Sequence, residues 1–191
     1  MASPQESCTP SALTTSEVEL IDRVHSHFQN NEPNKFHFFY RTASPFSNFH
    51  LCKFSENDIE FDTSEKYIMY HKAKLFNDNE TATSILQVRH PAECKAFGRS
   101  VKNFDEKLWV QNRARIFSDG LYLKFTQDDR MKQALLKHEG SLLVEAAKDD
   151  CIWGVGLDEN NPLIKDRSNW KGLNLLGYVL TDVLYRILDG K

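Results

Sequence analysis

Hydrophobic positions along this chain fall into helical stripes separated by polar breaks, with few places where they crowd together. Val18, Ile21, Val24 and Phe28 recur at three- and four-residue spacing behind Ser16 and Glu19, which match a capping box. The pattern predicts a helix over 16–29, ended by Asn30-Asn31-Glu32-Pro33, in a position to serve as an appended arm. Phe36 to Tyr40 is an unbroken aromatic run and reads as a buried strand. A short hairpin is expected through 52–54 and 59–61, turning at Glu56-Asn57-Asp58. Thr63 and Ser64 offer an N-cap to a mostly buried helix over 65–76, with Glu65 in its first turn. Further helices are expected near 80–88, 91–101, 105–118 and 128–138, the second opened by Pro91 and the last closed by Gly140. A strand over 142–146, a long loop over 149–170 and an apolar-faced helix over 173–189 complete the chain. The fold class is therefore α+β, a single compact helix-rich domain with a few short strands. It is expected over 35–191, behind a flexible lead over 1–34 that carries the first helix.

Composition narrows the function. The length of 191 residues suits one domain. With 24 basic and 27 acidic residues the net charge is -3, which argues against a general nucleic-acid coat. A local exception runs from Arg89 to Arg115, where seven Arg or Lys face three acids around Arg99 and Trp109. Arginine there suits phosphate, although a solvated helix face has the same composition. No apolar run approaches a membrane span, and the first residues do not resemble a secretory leader. Cys8, Cys52, Cys94 and Cys151 lie far apart, and no His or Cys pair has metal-ligand spacing. Reduced thiols, a cytoplasmic or nuclear location, and no metal, cofactor, membrane contact or obligate protein partner are the expectations.

Glu65 and Lys72 are the first candidates for chemistry. Seven residues apart on one helix, they lie two turns and about 10 Å apart at nearly the same angle. A carboxylate and an amine so placed can converge on one small molecule, as proton carrier and as nucleophile on a carbonyl-like carbon. A first-turn Glu and a surface Lys would have the same spacing. The segment Asp149-Asp150-Cys151-Ile152-Trp153-Gly154-Val155-Gly156 offers an acid, a stacking ring and permissive glycines; a capped turn around a core Trp fits equally. Phe46, Asn48 and Phe49 offer rings and an amide suited to a base or a ribose, or to loop packing.

The order of these clusters resembles the NADAR, or YbiA-like, family. The stretches are FFY (38–40), SPFSNF (44–49), TSEKYIMYHKAKLF (63–76), GRSV (98–101), the Trp109 region, LKF (123–125), LLVEAAKDDCIWGVG (142–156) and WKGLNLLG (170–177). The resemblance implies a helix-dominated α+β domain and an N-glycosidase acting on amino-linked ribosides. It implies one of two substrates: ADP-ribosylated guanine in nucleic acid or nucleotide, which the free-standing length favours, or phosphorylated ribosylamino-pyrimidines of riboflavin synthesis. A binding module that holds ADP-ribose without cleaving it would use the same residues. Carried over position by position, the catalytic set is Glu65, Lys72 and Asp150, with two routes open: Lys72 attacks the anomeric carbon, or Glu65 or Asp150 activates water with no covalent step. The substrate-binding set is Asn48, Phe49, Tyr67, Arg99, Trp109, Trp153, Gly154 and Asn174. A nucleophilic Lys72 needs a depressed pKa, from burial or a nearby cation. Lys74 points elsewhere, and a paired Glu65 would act in the opposite direction.

Overall fold

The computed structural model describes residues 12–190. Its helices are α1 Thr15–His25, α2 Ser64–Leu75, α3 Asn79–Gln87, α4 Pro91–Arg99, α5 Glu106–Gln127, α6 Asp129–Leu136 and α7 Leu175–Leu188. Its strands are β1 Phe36–Phe39, β2 Phe54–Glu56, β3 Ile59–Phe61 and β4 Leu142–Glu145. The fold is α+β and helix-rich, with few and short strands. The chain divides into two units, 12–40 with 140–181 and 41–139 with 182–190.

In the first unit β1 and β4 pair in parallel, Phe36 opposite Leu142 through Phe39 opposite Glu145. Leu142, Leu143 and Val144 are fully buried. Among the described residues no third strand pairs with the other edge of β4, and side chains take up its backbone groups instead. Asn174, at φ +55, donates from Nδ2 to the Leu143 carbonyl at 3.0 Å, and its Oδ1 accepts the Glu145 N–H at 3.0 Å. The Leu143 N–H donates to Thr181 Oγ1 at 3.1 Å. Gly177 permits this closeness: a Cβ there would lie 2.1 Å from the Leu143 carbonyl oxygen. Gly177→Ala is therefore expected to destabilise the protein by about 1–3 kcal/mol, because backbone must yield rather than a side-chain tip. A lower urea midpoint at unchanged slope would register it.

α1 is packed in this unit rather than appended. Leu20, Val24 and Phe28 are buried, and His25 Nε2 lies 3.2 Å from the Tyr178 hydroxyl. Its capping box is Thr14 with Glu17, not Ser16 with Glu19. Of the flexible lead expected over 1–34, residues 1–11 fall outside the described residues.

The second unit holds α2 to α6 and the β2–β3 hairpin, whose register pairs Phe54 with Phe61. The hairpin turns at Asn57 and Asp58, both at positive φ. Two glycines set helix spacing here. A Cβ on Gly98 would strike Met69 Sδ, so α4 lies close on α2. A Cβ on Gly120 would lie 2.4 Å from the Tyr67 ring. α5 runs on through this glycine to Gln127 instead of stopping near 118. Gly120 serves as a packing notch within a helix and does not end one. No helix among the described residues is long and apolar enough to cross a membrane.

Candidate active site

α2 organises the second unit's site. Thr63 caps it, accepting the Lys66 N–H on Oγ1 at 3.2 Å. The Glu65 N–H, which has no partner within the helix, donates to the Asn48 carbonyl at 2.9 Å. Ser64 Oγ donates to Asn48 Oδ1 at 3.1 Å. The loop carrying Asn48 and Phe49 is thereby fastened to the first turn of α2.

Glu65 is 6 % exposed, and burial pushes its carboxyl up to about 7. The charges of Lys95, Arg99 and Lys72 act against that rise without cancelling it. Lys72, two turns on, is half-buried and shifted the other way. Burial lowers its pKa first, Glu106 opposes, and Arg99 lowers it further. The cation near Lys72 is thus Arg99, delivered by the close approach of α4 at Gly98. The Lys72 ammonium lies 4.4 Å from the centroid of the Phe104 ring and 5.2 Å from that of Trp109, faces that favour its charged form. Phe104 is exposed and Trp109 half-buried, so two flat rings flank the amine.

Lys95 and Arg99 lie one helical turn apart on α4, and Lys95 Nζ is 5.9 Å from the Phe49 ring centroid. The basic stretch from Arg89 to Arg115 does not act as one patch. Lys102 pairs with Glu80 at 2.7 Å, Arg115 with Asp119 at 3.1 Å, and Arg113 is buried.

Glu65, Lys72, Asn48, Phe49, Arg99 and Trp109 thus belong to one unit. Tyr67 is in the same unit but on the opposite side of α2 from Glu65. It is 2 % exposed, and its hydroxyl donates to Glu56 Oε1 at 2.9 Å. Burial and that carboxylate both raise its pKa. Asp150, Trp153, Gly154 and Asn174 belong to the first unit. Asp150 Oδ1 accepts the Ile152 and Trp153 N–H groups at 2.9 and 2.8 Å, shaping the turn that presents Trp153. Gly154 is buried where a Cβ would press on Ala147 and two carbonyls. Asn174 is fully buried in its clasp on β4.

Lys95, Phe104 and Glu106 were not among the residues expected from sequence. The basic surplus around Arg99 was the signal for Lys95, and Phe104 immediately precedes Asp105, the N-cap of α5. Cys52 and Cys94 are free and buried. No three His, Cys, Asp or Glu side chains among the described residues are grouped to hold a metal ion.

Comparison with known proteins extends the picture. The family model described as the NADAR domain matches residues 37–188. The protein irg-1 of Caenorhabditis elegans is 35% identical over 161 residues, covering 76% of each chain. An N-glycosidase of Acanthamoeba polyphaga mimivirus is 34% identical over 128 residues, covering 67% of this chain and 75% of its own. The NMR structure of the Escherichia coli protein YbiA superposes with a TM-score of 0.68 at 25% identity, covering 83% of this chain and 88% of that one.

Proposed function

Because this chain belongs to the NADAR family, we propose that it is an N-glycosidase, a hydrolase of the bond between ribose and an amino nitrogen. We further propose ADP-ribose linked to the amino group of guanine as its substrate. The observation that carries the reading is the opposed pair on α2: a buried carboxyl raised to about 7 and an amine lowered from its ordinary value. Acid–base catalysis at neutral pH needs a proton carrier poised near 7, and covalent catalysis needs a fraction of neutral amine. The naming of the mimivirus relative as an N-glycosidase supports the reaction class.

In the proposed reaction the amino nitrogen's lone pair breaks the bond between the anomeric carbon and the ring oxygen, the nitrogen's proton passes to that oxygen, and an imine is left at the anomeric carbon. Neutral Lys72 adds to that carbon, the base amine leaves with a proton from Glu65, and water hydrolyses the lysine imine to release the sugar. Glu65 takes up the proton again. Arg99 and Lys95 supply positive charge for the substrate phosphates, and Trp109 with Phe104 supplies flat faces for the base. Asp150 is given no proton-transfer role, since one of its oxygens already serves two backbone amides.

The test is free ADP-ribose, read by mass spectrometry, after mixing the protein with an oligonucleotide ADP-ribosylated on guanine. Release by the wild type and not by Glu65→Gln is expected. If the oligonucleotide stays intact while a phosphorylated ribosylamino-pyrimidine is cleaved, the substrate is revised and the reaction class stands. If neither is cleaved and ADP-ribose binds, the site is a reader.

A further inference from the structure

Lys124 is fully buried on α5, in the LKF stretch, and takes no part in the chemistry above. Its ammonium donates to the Ser47 carbonyl at 2.9 Å, and among the described residues no carboxylate is paired with it. The Phe125 ring centroid lies 5.2 Å away, and the titratable group facing it is Cys52. A buried charge without a counter-ion is costly, so a position that holds one needs a reason. Lys124 grips a loop that leads to Glu65. Ser47 is followed by Asn48, whose carbonyl accepts the Glu65 N–H and whose side chain accepts from Ser64. Phe49, next again, lies beside Lys95.

We propose that Lys124 is a positioning residue for the active site: from α5 it holds the loop 47–49 at Ser47, while the first turn of α2 holds it at Asn48. Its burial would then be the cost of a rigid substrate-facing loop, and this inference rests on the proposed reading of Asn48 and Phe49 as substrate-binding. The strength of a charge-assisted bond suits the task, being roughly twice that of a neutral one. Burial has pushed the lysine down to about 8, so the grip weakens above that pH as the ammonium loses its charge.

The experiment is Lys124→Met, which keeps length and removes the donor. It is read first by amide hydrogen exchange on the protein without substrate. Exchange at the Glu65 amide is expected to quicken by about tenfold relative to the Ile68 and Ala73 amides further along α2. A uniform rise across α2 and α5, or no rise at Glu65, overturns the proposal, because either is the mark of general packing. Exchange needs no turnover, so this arm stands whether or not the substrate is correctly identified. With a cleavable substrate in hand, KM is expected to rise about tenfold with kcat within about threefold; an equal fall in kcat alone overturns it. Should Lys124→Met not fold, nitrogen NMR of the wild type replaces it. A resolved lysine Nζ signal protected from exchange supports the grip, and its merging with the surface lysines overturns it.

Discussion

Glu65→Gln is expected to make the protein more stable and inactive at the same time. The carboxyl sits at about 7 in the folded chain against an ordinary value of 4.5. The folded state therefore holds its proton over a pH range in which the unfolded chain has lost it. Stability then falls as pH rises from about 4.5 to about 7 and is level beyond. Integrated over that window, ionised Glu65 costs the fold about 3 kcal/mol at pH 8. Glutamine has the same shape and never ionises, so the variant escapes the cost. Its Tm should exceed that of the wild type by on the order of 5–10 °C at pH 8, with the difference vanishing near pH 4.5. Activity should fall by about 10²–10⁴-fold, the usual worth of a positioned proton carrier. Thermal melts of both proteins across that pH range check the first half. Equal Tm values at pH 8 would mean that the carboxyl is not desolvated.

The second large effect is at Lys72. If this amine forms the covalent bond, Lys72→Arg retains the charge between Phe104 and Trp109 but cannot supply a neutral nitrogen. Turnover should then fall by at least about 10³-fold, the scale on which loss of a nucleophile is felt. Borohydride added during turnover should leave a reduced sugar adduct on the peptide containing Lys72, since only an imine is reduced to a stable product. An Arg variant within about tenfold of the wild type, together with no adduct, would shift the reaction to direct attack by water. There Glu65 acts alone and the Lys72 charge is replaceable.

The helices were legible where caps and apolar spacing agreed. Thr63 and Ser64 before Glu65, and Pro91 before an amphipathic stretch, set α2 and α4 almost to the residue. The strands β1 and β4 stood out as runs of ring-bearing and branched side chains. Thr14-x-x-Glu17 and Ser16-x-x-Glu19 are equally good capping boxes on paper. Packing chooses the first, because Glu17 as well as Leu20 and Val24 is buried in that helix. α5 ends nine residues beyond the 118 expected from the sequence. Gly120 weakens a helix in isolation, yet here its missing side chain is the space that the Tyr67 ring fills.

Glu65 and Lys72 could be read as a pair from spacing alone, but their electrostatics could not. The shifts depend first on burial, and at Lys72 then on Glu106, which opposes the fall, and Arg99, which deepens it; both reach Lys72 from other helices once Gly98 has let α4 settle on Met69. Phe104 and Lys95 enter the site by the same tertiary route. Asn174 shows the opposite case. It looked like a ligand-binding amide, and the structure occupies both ends of that amide on the β4 backbone.

The parallel pairing of β1 with β4 has a consequence for how the chain is made. Roughly a hundred residues, nearly all of the second unit, are translated between the two strands. At the ribosome's pace of about 5–20 residues per second, β1 waits some 5–20 s before β4 exists. Throughout that interval Phe36, Phe38 and Phe39 have no β4 to pair with, and an unpaired strand edge is a template for pairing with another chain. The nascent chain is thus most vulnerable to aggregation while the unit that bears Glu65 and Lys72 is still being synthesised. Slower translation lengthens that exposure in proportion.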